Sequence, residues 1–431
     1  MTSRLFLTVI TVAAVGAVQA RDVANYDFPE ADAVRATVLG AGPGTTHAFA
    51  TAPKIRQKSF WLDMKKPGLE RFRAQRRRGI HRLEFSLAYQ KTPAPLLVSI
   101  AGTGGDHASG KAAVMKNIFF NAGYHVLSMT SPSNADFIFA ASSTNLTGIT
   151  PQDAADLYGV IQAALERVGD RIEVTDYYLT GYSLGGLQAG FIAELDDREH
   201  KIGFTKVLMV NPPVNLLTSV SNLDQIATAR ELVAETGSRS LKAFTDNLFQ
   251  RMADYYKRTG RMDLSGDSLY KIAEGIELTD FELRVLVRLA FGLSTADIVF
   301  TSDVMNELGY IVPVGQSLGG GSSIWFKRAM SWTFVDYFET VVLPYWQQTH
   351  PEDTQADAVR KWSLMGIEEY LRSTRKISVV HNRDDIILGP GDIDFLDRVM
   401  GDRAIIYPLG GHLGNMTYER NVDEMLAFFD R

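Results

Sequence analysis

Gly181-Tyr182-Ser183-Leu184-Gly185 is the segment of this chain whose residue types and spacing best suit nucleophilic chemistry. A lone G-x-S-x-G match is common by chance. This one follows an apolar run ending at Thr180 and precedes the small residues Gly186, Ala189 and Gly190 of a helical pattern. A strand that feeds a tight turn into a helix presents a serine at the tip of the turn, and glycines on both sides let its strained backbone approach neighbouring chain. A serine hydroxyl is a weak nucleophile near neutral pH, so it needs a histidine to take its proton and a carboxylate to hold the imidazole. Both occur further along. Val379-Val380-His381-Asn382-Arg383-Asp384-Asp385-Ile386 reads as a strand running into an acidic turn, and His412 sits among the glycines of Gly410-Gly411-His412-Leu413-Gly414, beyond the last apolar run. Asp384 and Asp385 are both candidates for the acid.

The elements that must position these residues are legible as hydrophobic patterns. After a polar, Gly- and Pro-rich stretch to about Pro53, alternating segments at Lys58 to Met64 and His81 to Tyr89 suit antiparallel strands at a sheet edge. Continuous apolar runs at Pro95 to Ile100, Tyr124 to Met129, Asp176 to Thr180 and Val207 to Val210 suit parallel strands buried on both faces. A helix carrying Ala154, Leu157, Val160, Ile161, Ala164 and Leu165 on one face lies between two of them, with Thr150 as its cap and Pro151 at its first position. Strands alternating with helices imply a mostly parallel sheet.

From about Asn215 to Ser373 the rhythm is helical. Leu241, Phe244, Leu248, Met252 and Tyr255 form one stripe, and Thr279 with Glu282 forms a capping box before a run that stops at Gly292. Strands return at Ile377 to Val380 and Ala404 to Tyr407, followed by a helix from about Val422 to Phe429. The expected organisation is a core of 21–215 and 374–431, with 216–373 as a helical lid inserted between two strands of one sheet.

On these residues the core resembles an α/β-hydrolase over roughly 55–215 and 375–431. The resemblance implies the chain order serine, acid, histidine and an acyl-enzyme on Ser183 with His412 as base. In the family's usual pattern the acid lies three residues after a turn glycine. Asn382 stands in that place here and tolerates a left-handed backbone, a register that selects Asp385 and leaves Asp384 as the neighbouring alternative. The resemblance also implies two backbone N–H donors for a tetrahedral oxyanion, from Leu184 and from Thr103 in the loop Ala101-Gly102-Thr103-Gly104-Gly105. Many relatives carry His-Gly where this chain has Ala101-Gly102, a departure that a backbone donor can absorb.

The remaining histidines read differently. His381 serves the strand end, His107 lies in the oxyanion-side loop within reach of a substrate, and His47, His81, His125, His200 and His350 have no metal-like spacing. The lid segment holds Trp325, Trp332, Trp346 and Trp362 with Phe326, Phe334, Tyr337 and Phe338 among them, which form either its core or the wall of an acyl pocket. Gly319-Gly320-Gly321 just before is either a hinge or a flexible turn.

Composition sets the outer bounds. A chain of 431 residues, 45% hydrophobic and 22% charged, can bury a large core without staples. The absence of cysteine excludes disulfides, a thiol nucleophile and thiolate metal sites. A net charge of −6 offers no global field for nucleic acid, and the basic cluster Arg71, Arg73, Arg76, Arg77 and Arg78 reads either as a solvated turn or as a site for an anionic partner.

Arg4, the apolar run Leu5 to Val18 and the small residues up to Ala20 read as an export signal cleaved after Ala20, with a short uncleaved membrane anchor as the alternative reading, although the run is short of the ~20 residues that span a bilayer. The product is expected to be periplasmic or secreted, with no later spanning segment. The expected function is hydrolysis of a carboxylic ester or thioester, with a small-molecule or lipid acyl ester as substrate and no metal or organic cofactor implied. Acyl transfer or amide cleavage would use the same residues, and a non-catalytic hydrolase-like envelope protein binding through its aromatic lid is the rival from another class.

Overall fold

The computed structural model describes residues 19–42, 44–52, 55–64, 66, 82–236, scattered positions between 244 and 257, 275–316 and 322–430. The signal-like run 1–18, the basic cluster 71–78, the glycine run 319–321 and four of the five stripe residues (Leu241, Leu248, Met252 and Tyr255) lie outside the described residues.

Nine strands form one sheet: β1 Arg21–Asp22, β2 Gln57–Asp63, β3 Arg82–Ala88, β4 Ala94–Ile100, β5 His125–Met129, β6 Val174–Tyr182, β7 Lys206–Val210, β8 Ile377–Asn382 and β9 Ala404–Tyr407. Their order across the sheet is β1-β9-β8-β7-β6-β4-β5-β3-β2. β3 runs antiparallel to both its neighbours, and every other pairing is parallel. The alternating edge segments thus form the antiparallel hairpin. The continuous apolar runs form strands buried on both faces, with every residue of β5, β8 and β9 buried.

Helices α1 Ala33–Leu39, α2 Gly110–Asn121, α3 Ala135–Ala140, α4 Thr150–Val168, α5 Leu184–Glu199 and α6 Leu216–Gln225 follow in chain order. One continuous apolar core joins α4, α5 and one sheet face to the helices that follow β7, and a second covers the opposite face through α2 and the last helix, Glu419–Asp430. Among the described residues no helix is long and apolar enough to cross a membrane.

Four local expectations need correction. Ile149, not Thr150, caps α4; the Thr150 hydroxyl instead donates to the Trp362 carbonyl at 2.6 Å, because burial against the helical segment gave it a better acceptor. The helix that opens with the Thr279 and Glu282 capping box does not stop at Gly292 but runs Asp280–Asn306, its buried face continuing through Thr295, Ala296, Ile298 and Val299. Burial of that face outweighs the ~1 kcal/mol helix cost of a glycine. The polar, Gly- and Pro-rich stretch to about Pro53 contains β1 and α1; β1 exists by pairing with β9, a partner far away in sequence. Asn382 has no left-handed backbone and ends β8.

Candidate active site

All the candidate residues lie at one edge of the sheet because β4, β6, β8 and β9 are parallel and end together. β4 is flanked by β5 and β6, so the connections leaving this point run to opposite sides, and in open parallel sheets a ligand crevice forms outside the carboxyl ends at such a reversal. The loop after β4 and the turn after β6 face each other across it.

Ser183 is the turn residue between β6 and α5, with φ +54° and ψ −129°. That conformation costs a non-glycine residue on the order of 1–3 kcal/mol and persists only where the surroundings enforce it. Here they do. The Ser183 N–H donates to the Val210 carbonyl at 2.9 Å. A side chain at Gly181 would put its Cβ 2.1 Å from the Gly185 carbonyl oxygen, and one at Gly185 would lie 2.4 Å from that of Ile100. The two glycines permit strand, turn and helix to close on one another.

Ser183 Oγ lies 2.9 Å from His412 Nε2, and His412 Nδ1 lies 3.0 and 3.1 Å from the two oxygens of Asp385. Since a carboxylate only accepts, Nδ1 carries the proton and Nε2 is left to accept from the serine. Asp385 is fully buried, and its oxygens also accept from Asn211 Nδ2 at 2.8 Å and the Ile387 N–H at 3.1 Å. Burial alone would raise its pKa; the electrostatic interaction and hydrogen bond with His412, reinforced by His381 and the Ile387 N–H, hold it below the ordinary carboxylate range.

Asp384 faces the other way, accepting from the Gly410 and Gly411 N–H groups at 3.1 and 2.9 Å, and burial raises its pKa. His381 is completely buried, its pKa lowered by burial, with Nε2 2.9 Å from the Pro212 carbonyl and Nδ1 accepting from the Asn382 N–H. Its place is structural, at the end of β8.

Leu184 is the first residue of α5, so its N–H is one of the donors that a helix start leaves without an intrahelical partner. Gly102 lies against the turn that carries Ser183: a Cβ there would be 3.2 Å from Ser183 Cβ. Thr103 follows it in a loop fixed on both sides. The Gly104 N–H donates to Ser133 Oγ at 2.9 Å, and Asn134 Nδ2 donates to the Gly104 carbonyl at 2.8 Å. His107 is buried farther along, its Nε2 3.7 Å from Glu84 and its pKa lowered by burial.

The long helix Asp280–Asn306 reaches this loop, since a Cβ on Gly104 would lie 2.6 Å from Ser294 Oγ. The aromatic residues divide. Phe334, Tyr337, Phe338 and Trp362 are buried in the main core, whereas Trp325, Trp332 and Trp346 are half-buried against it.

Sequence reasoning did not identify Asn211, Ser133, Asn134 or Ser294. Asn211 left one mark, an asparagine between a strand and Pro212-Pro213 that suits a turn, and it adopts φ +44°. The other three are ordinary polar residues whose place depends on distant chain.

The mostly parallel sheet with this strand order, together with the serine on a strained strand-to-helix turn, defines the α/β-hydrolase fold. No family model and no curated protein matches the sequence. Solved structures similar in fold include a mutant of the esterase rPPE, 11% identical, with 89% of this chain and 83% of that one covered at a TM-score of 0.42. A hyperthermophilic esterase from the archeon Pyrobaculum calidifontis is 13% identical, with 88% and 84% covered at a TM-score of 0.40. A thioesterase domain from the curacin biosynthetic pathway is 12% identical, with 87% and 99% covered at a TM-score of 0.35.

Proposed function

We propose that this protein is a serine hydrolase cleaving a carboxylic ester or thioester through an acyl-enzyme on Ser183. The observation that carries the reading is the unbroken chain from Ser183 Oγ through His412 to the buried Asp385, in which the tautomer is fixed by a carboxylate at 3.0 Å and Nε2 is free to take the hydroxyl proton. Ser183 attacks the acyl carbon while His412 accepts its proton. The tetrahedral oxyanion is held by the Leu184 and Thr103 N–H groups. His412 then protonates the leaving alkoxide or thiolate, and a water activated by the same imidazole releases the acid.

In this reading 216–373 is a lid over a core of 21–215 and 374–431, and its long helix, through Ser294, forms one wall beside the oxyanion loop. The substrate is a small-molecule or lipid acyl ester met outside the cytoplasm after cleavage behind Ala20. The test is labelling of the purified mature chain with a fluorophosphonate, followed by a chain-length series of acyl esters with product analysis. Parent protein should label at Ser183 and release free acid, and Ser183→Ala should lose labelling and ~10³-fold or more of turnover while keeping its fold. Ordinary turnover in a clean Ser183→Ala preparation would overturn the nucleophile assignment.

A further inference from the structure

We infer that Thr37, on a short helix near the start of the chain, is a positioning residue for His412; the inference rests on the reading of His412 as the base. The loop carrying His412 is held through its main chain. Asp384 accepts from the Gly410 and Gly411 N–H groups, and Asn382 Nδ2 donates to the Gly411 carbonyl at 2.7 Å. Those restraints come from the acid's own strand and turn and act on the two residues before His412. The His412 N–H itself donates to Thr37 Oγ1 at 2.8 Å. Thr37 Oγ1 in turn donates to the Ala33 carbonyl at 2.6 Å, so its one hydrogen is committed and a lone pair remains for His412.

The contact is tight along its length. A Cβ on Gly411 would lie 2.1 Å from the Ala33 carbonyl oxygen, and one on Gly414 would lie 2.1 Å from that of Ala36. α1 is too short to be stable alone. The Asp32 side chain caps it by accepting from the Val34 and Arg35 N–H groups, and Leu39, with Val34 and Val38, packs on Ile276, Leu278, Leu283 and Leu286. The helix is therefore wedged between the His412 loop and the helical segment that follows β7. A displacement of about 1 Å at a reacting group is enough to cost on the order of 10²-fold in rate.

The test compares Thr37→Val, which keeps the shape but removes the acceptor, with Thr37→Ser, which keeps the hydroxyl, in the full mature chain beside Ser183→Ala. The readouts are kcat and KM on a p-nitrophenyl ester, the rate of fluorophosphonate labelling and thermal melting. Thr37→Val should lower kcat and the labelling rate by about 10- to 100-fold with KM changed by less than about 3-fold, and Thr37→Ser should recover most of the loss. Thr37→Ala replaces the valine variant if that one fails to fold. Unchanged kcat in the valine or alanine variant, or a serine variant as impaired as they are, overturns the inference. If Ser183→Ala still labels and turns over, the Ser183 reading fails by itself and takes this one with it.

Discussion

Asp384 and Asp385 are neighbours in sequence and work on opposite sides of one loop. Asp385 meets the His412 ring, and Asp384 holds the main chain of the two residues just before it, Gly410 and Gly411. Removing the charge at Asp385 forfeits the tautomer that leaves Nε2 as acceptor, whereas an amide at Asp384 can still accept from one N–H. Asp385→Asn should therefore lower kcat by about 10³- to 10⁴-fold and Asp384→Asn by ~10-fold or less, measured on one ester at saturating substrate. The reverse ranking would transfer the role to Asp384. The sign of the acid dependence follows from the same contacts. Because the folded-state pKa of Asp385 lies below its unfolded value, the pair's contribution to stability is present above the ordinary carboxylate range, and it is lost as pH falls through the depressed value.

At the scale of elements, the join between the sheet core and the helices after β7 contains a buried polar cluster. Asp153 of α4 accepts from Thr147 Oγ1 at 2.9 Å and the Gly148 N–H at 2.8 Å, and the Thr147 N–H donates to the hydroxyl of Tyr337, which lies 3.0 Å from Ser302 Oγ. Burial pushes the Asp153 carboxyl up to about 7, against the hydrogen bonds from Gly148 and Thr147. A folded-state value above the unfolded one means the folded chain holds the proton more tightly. The contribution is complete below the ordinary carboxylate range and is lost as pH rises through about 7. Urea unfolding between pH 5 and 8 should show stability falling with pH, with up to about 1.4 kcal/mol per unit from this group. Asp153→Asn should flatten that slope, and an equal slope in the variant would remove Asp153 as its source.

Across the whole molecule, the helices after β7 share one apolar core with the sheet, so their aromatics contribute unequally. Trp362 is 1% exposed and packs edge-on against Phe338 and Trp346 with ring centroids at 5.7 and 5.4 Å. Trp362→Ala should cost about 3–5 kcal/mol by denaturant titration and leave the acyl-chain preference alone. Trp325 and Trp332 are half-buried, and their truncation to alanine should change the kcat/KM profile across short to long acyl esters at nearly unchanged stability. An unchanged profile with lost stability would make them packing residues only. The export proposal is also testable on the whole protein. β1 begins at Arg21 and adds to the sheet edge beside β9, so a chain starting there keeps its pairing, and N-terminal sequencing of the exported product should begin at or near Arg21. An intact Met1 on a cytosolic product would sink that proposal.

The chain's own pattern carried the parts that depend on local physics. Period-2 edge strands, continuous apolar runs for strands covered on both faces and the Gly-x-Ser-x-Gly turn are written in neighbouring residues, because side-chain direction and backbone freedom are local. So are the candidates Ser183 and His412 and the acidic pair. What only the tertiary structure decided concerns groups that are far apart in sequence. Which carboxylate meets His412 depends on how the turn after β8 packs against Asn211 and Ile387. β1 has no signal of its own because it forms by pairing with β9, and α1, although Asp32 caps it and Gly40 ends it, takes its place only by wedging against the His412 loop. The hydroxyl of Thr37, 375 positions from His412, carries no mark in the sequence: a hydrogen bond depends on where two chain segments meet, and that place is set by the packing of the whole core.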